Sequence, residues 1–170
     1  MPEKTVPEPW LRGTLLEVPA VHRAVLHALE LAREDLHRWC GQLSDEQLNQ
    51  RPAHIAPVAF HLRHISRSLD RLLTYAEGGS LNEEQLSGLK SELEPGASRD
   101  GLFAELSATL TTSVTRIRSL SRADLETARG VGRRKLPTTL GGLLVHIADH
   151  TQRHVGQAVT TAKFVLAQSP

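Results

Sequence analysis

The sequence predicts an all-α fold, a four-helix bundle with a long crossover connection, and three observations carry that prediction. Four stretches place apolar residues at steps of three and four, the spacing that keeps side chains on one face of a helix. The chain is 39% hydrophobic but only 4% aromatic, so its core must come from Leu, Val, Ile and Ala, which suits helix packing better than a β-sandwich. No stretch alternates apolar and polar residues convincingly enough to read as a strand. A chain of 170 residues fits one domain with a sizeable core, and two would be cramped. The expected division is a Pro-rich lead over 1–17 and a single bundle domain over 18–168.

The first helix is expected over about 19–41, where Val21, Ala24, Val25, Ala28, Ala32, Leu36 and Trp39 share a face and Gly41 stands at the C-cap position. Ser44 and Gln47 have capping-box form and start a one-turn helix that Pro52 ends. A second long helix runs from about Pro57 to Glu77. Val58, Leu62, Ile65, Leu69, Leu72, Leu73 and Ala76 form its inward face, and Gly78-Gly79 stops it. The segment SLNEEQLSGLKSELEPGAS is the longest connection, with Leu81, Leu86, Leu89 and Leu93 marking a short surface helix. A third helix over about 98–120 carries Leu102, Leu106, Leu110, Val114 and Ile117. Its Ser and Thr residues lower helix propensity, so burial must hold it. RADLETARGVGRRKLPTTL reads as an irregular basic loop, with Thr138 or Thr139 as the N-cap of a fourth helix to about Ala167.

Twenty basic against 19 acidic side chains leave a formal charge of +1. No basic tail stands ready to neutralise a phosphate backbone, so no nucleic-acid partner is expected. Cys40 is the sole cysteine, which excludes internal disulfides and multi-cysteine metal sites and points to a reducing compartment. Beside Trp39, it reads as a small buried hydrophobe. MPEKTVPEPWLRG lacks the apolar core of a targeting signal, and no uninterrupted 18-residue apolar span occurs. The expectation is a soluble cytoplasmic protein with no membrane partner. Arg129, Arg133, Arg134 and Lys135 read as a solvated loop that meets an anionic substrate group only if it folds over a site mouth.

The chemistry concentrates in LLVHIADHTQRHVGQAV, where His146, His150 and His154 stand four residues apart. With Leu143 at zero on a helical wheel, His154 falls at about +20°, His150 at about −20° and His146 at about −60°. His150 and His154 therefore occupy the core seam and His146 its edge. The three span about 12 Å along the axis, too far for one ion bound at about 2.1 Å, so a metal site needs a ligand from another helix. FHLRHISRSLDRLL supplies His61 and His64. The main apolar face favours His61, whereas a second inward sector of Phe60, His64, Ser68 and Tyr75 favours His64. Either would complete a three-His site with open positions. His22, His27 and His37 read as surface or packing residues of the first helix.

HLRHISRSLDRLLTYAEG followed far downstream by LGGLLVHIADHTQRHVGQ resembles the DinB-like superfamily, named for DNA-damage-inducible proteins, over roughly 18–168. The resemblance implies a metal-binding four-helix bundle holding Zn, Ni or Mn, with one histidine of the second helix and a His-x-x-x-His pair of the last. Matched position by position, those ligands fall on His64, His150 and His154. His61, His146, Gln157 and Tyr75 become pocket-lining or ligand-orienting candidates. Relatives in this superfamily include thiol transferases using bacillithiol or mycothiol and a mycothiol-dependent maleylpyruvate isomerase. The implied activity is therefore a thiol-cofactor-dependent transferase or related chemistry on a small-molecule substrate. A metal-dependent hydrolase, or a non-catalytic stress-response or dimerisation bundle with a structural metal, is the alternative, and a homodimer is compatible with either. No carboxylate is obvious at the motif; Asp149 lies on the helix flank.

Overall fold

The computed structural model describes residues 6–168, so the first five residues of the Pro-rich lead lie outside the described residues. Four long helices form the bundle: α1 (Ala20–Cys40), α3 (Val58–Ala76), α5 (Arg99–Ser119) and α6 (Leu140–Gln168). Two short helices, α2 (Asp45–Asn49) and α4 (Glu83–Lys90), lie in the connections. Each long helix follows its apolar pattern: in α3, Leu62, Ile65, Leu69, Leu73 and Ala76 are fully buried, each large aliphatic side chain contributing about 1.5–3 kcal/mol on leaving water. Ser44 and Gln47 cap α2 reciprocally, and Asn82 and Gln85 do the same for α4. Beyond α3, Gly78 adopts φ +85°, a left-handed turn that costs glycine nothing.

α6 lies between α1 and α3, while α5 closes the ring against α3 and α1. Directions follow from cross-helix bonds. His64 meets His150 and His61 meets His154, so α3 and α6 run antiparallel. Arg67 reaches Glu105 and Arg116 reaches Glu77, so α3 and α5 run parallel. A parallel pair forces the intervening segment back along the whole bundle, and this α3–α5 connection is the long crossover.

The basic segment corrects the expectation of an irregular loop. Residues Ala128–Val131 (β1) and Leu136–Thr139 (β2) pair antiparallel, with Gly130 opposite Pro137. Gly132 and Lys135 at positive φ make the turn. Pro137 is tolerated because a two-stranded ribbon leaves one edge of each strand unpaired. Arg129 donates to the Ala76 carbonyl, which fixes the hairpin at the C-terminal end of α3, about 18 Å along the axis from His64. Arg129 is therefore engaged away from the histidines. The described part of the lead packs on α1, where Arg12 bridges Glu30 and Glu34. No described helix is long and apolar enough to cross a membrane.

Candidate metal centre

Antiparallel packing brings the first two turns of α3 against the middle of α6. One ring nitrogen each from His64, His150 and His154 lies within 4.8 Å of the other two. The Nε2 atoms of His64 and His150 are 3.3 Å apart. Two nitrogens bound at about 2.1 Å to one tetrahedral ion would be separated by about 3.4 Å, so the spacing and the all-imidazole donor set fit a divalent cation.

The surrounding groups determine which nitrogens face inward. Glu92 Oε2 stands 2.7 Å from His64 Nδ1. A carboxylate can only accept, so the ring nitrogen facing it, Nδ1, is the donor, and Nε2 is the atom turned toward His150. His61 Nδ1 lies 3.1 Å from His154 Nδ1, holding the second imidazole. His150 Nδ1 is buried without a hydrogen-bond partner among the described residues. The Phe60 ring stacks on His64 and meets His61 and His154 edge-on.

Burial, then the neighbouring imidazoles and for His150 and His154 also Arg153, push the pKa values of His61, His150 and His154 down to about 4. All three are thus neutral at physiological pH, the form in which imidazole binds a cation. Glu92 is 5% exposed. Burial works against its charge, but hydrogen bonds from His64 and Arg71 outweigh burial and hold its carboxyl below the usual range.

His61 faces inward, as the apolar wheel suggests, and is more buried than His64, yet His64 is the residue grouped with the α6 pair. His146 is exposed with its ring centroid 5.3 Å from that of His150. Gln157 and His61 line a groove of about 620 Å3 with Ile55, Phe60, Arg153 and Thr160. Tyr75 is not at the site: it packs half-buried near the C-terminal end of α3, about 16 Å along the axis from His64. Sequence reasoning missed Glu92 because it sits in the polar crossover, 28 residues from His64. The available signal was Arg71, two turns after His64 and needing a buried anion.

No curated protein matches the chain significantly. A family model described as the DinB superfamily matches residues 28–158, a span that includes all three clustered histidines, and the chain belongs to that superfamily.

Proposed function

We propose that this protein is a metalloenzyme in which His64, His150 and His154 hold one divalent cation and a low-molecular-weight thiol meets a small-molecule substrate at the open side. The observation that carries this reading is the convergence, among the described residues, of three metal-binding side chains. A structural zinc site is closed by four protein ligands, whereas a catalytic one keeps a position open. Three imidazoles suit zinc or nickel better than manganese, which prefers oxygen. When bound, such a cation supplies Lewis acidity that lowers the pKa of a thiol or water beside it.

The protein's own groups orient the partners. His61 holds the His154 ring, and the groove beside it combines apolar Ile55 and Phe60 with the Arg153 guanidinium and the Gln157 amide. Both nearby carboxylates are engaged, Glu92 with His64 and Arg71 and Asp149 with Arg153. Glu92, buried with both oxygens engaged, is not free to serve as a base for water, which favours thiol transfer over hydrolysis. Exposed His146 is the group suited to carry a proton between the site and solvent. A thiol cofactor and the reduced Cys40 both fit a cytoplasmic setting.

Metal analysis of protein purified without an affinity tag tests the site: close to one zinc or nickel per chain is expected, with loss in His150→Ala. Full occupancy in that variant would sink the assignment. Titrating the cobalt-loaded protein with mycothiol or bacillithiol tests the thiol. A thiolate-to-cobalt charge-transfer band is expected with one of them, and its absence with both would remove the transferase reading.

A further inference from the structure

The α3–α5 connection does more than join two helices. Because those helices run parallel, it travels back along α3, and three arginines at four-residue steps fasten it. Arg71 donates to Glu92, Arg67 to the Gly88 carbonyl and Ser91 Oγ, and Arg63 to the Glu94 carbonyl. The result is a buried carboxylate whose two oxygens have separate partners: Oε1 accepts from Arg71 at 2.7 Å and Oε2 faces His64 Nδ1 at 2.7 Å. We propose that Glu92 is a positioning residue of the metal centre, fixing His64 as the Nδ1–H tautomer so that Nε2 is presented as a ligand, with Arg71 holding Glu92 in place. This rests on the reading of His64 as a ligand.

Three features support the role. Glu92 and Arg71 are 5% and 8% exposed, so water does not compete for the carboxylate. The Arg71 guanidinium offsets the cost of burying that charge. A carboxylate behind a ligating histidine fixes ring orientation and raises the basicity of the nitrogen facing the ion, and losing such a partner typically weakens metal binding about 10- to 100-fold. His154 gets its outer partner from His61 and His150 has none, so Glu92 is the sole anion bonded to a ring of the cluster among the described residues. The crossover segment thereby becomes part of the metal site.

The test compares wild type with Glu92→Gln in two measurements: zinc affinity by chelator competition, and the His64 ring tautomer by 15N NMR of the metal-free protein. The expected results are zinc binding weakened about 10- to 100-fold in the variant, a predominantly Nδ1–H ring in wild type, and loss of that preference in the variant. An Nε2–H ring in the metal-free wild type would overturn the proposal, as would unchanged zinc affinity in a folded variant. If Glu92→Gln does not fold, the wild-type tautomer still decides. A wild-type chain that binds no zinc would count against the metal centre itself, while the tautomer still tells whether Glu92 sets His64.

Discussion

At the scale of single residues, the histidines divide by what stands behind each ring. The helical wheel distinguished His150 and His154 from His146 because seam position on one helix depends on local spacing alone. It could not rank His61 against His64, because both point inward and the deciding neighbours, Glu92 and α6, come from remote parts of the chain. The same burial gives the metal-free protein a pH dependence. His61, His150 and His154 have folded pKa values of about 4 against an ordinary value of 6.5. Between those values the unfolded chain binds more protons than the folded one, so stability falls as pH drops from about 6.5 toward 4. Glu92, held below its usual range, loses stabilising interactions at the lower end of the same window. Urea unfolding of chelator-treated protein should show a lower midpoint at pH 5 than at pH 7.5 with an unchanged slope. Equal midpoints would mean that the three rings are not held neutral.

At the scale of elements, α1, α3, α5 and α6 were legible to within a residue or two because apolar period and caps agree. The hairpin was not. Each of its strands has four residues, neither alternates in burial, and β2 contains Pro137, so the usual strand signals are absent. Its pairing is also tied to the start of α6: β2 ends at Thr139, whose Oγ1 accepts from Gly142 N at 3.1 Å and caps that helix. Gly141 and Gly142 make the first turn of α6 intrinsically poor, so the cap and the Leu140 N bond to the Thr127 carbonyl must hold it. Thr139→Ala is expected to cost about 1 kcal/mol, measured as a lowered urea midpoint, while Thr139→Ser retains most of that stability. Equal loss in both variants would place the effect in hairpin packing rather than in the cap.

At the scale of the molecule, the site joins three elements that are far apart in sequence. His64 on α3, the pair on α6 and Glu92 on the crossover meet only when the bundle is assembled. The unfolded chain keeps isolated His-x-x-x-His spacing but not the third nitrogen, so a cation should bind the folded state far more tightly. Preferential binding of this kind stabilises by mass action: at a free zinc concentration 100 times the dissociation constant, the gain is about 2.7 kcal/mol. For a chain of this size each kcal/mol raises Tm by about 2–4 °C. Zinc added to chelator-treated wild type should therefore raise Tm by about 5–11 °C. His154→Ala should abolish most of that shift, because it leaves two imidazoles to hold the ion. His27→Ala, which removes a buried histidine bonded to Thr14 away from the site, should lower Tm yet keep the zinc-dependent rise. A rise that survives in His154→Ala but vanishes in His27→Ala would place the metal on another part of the bundle.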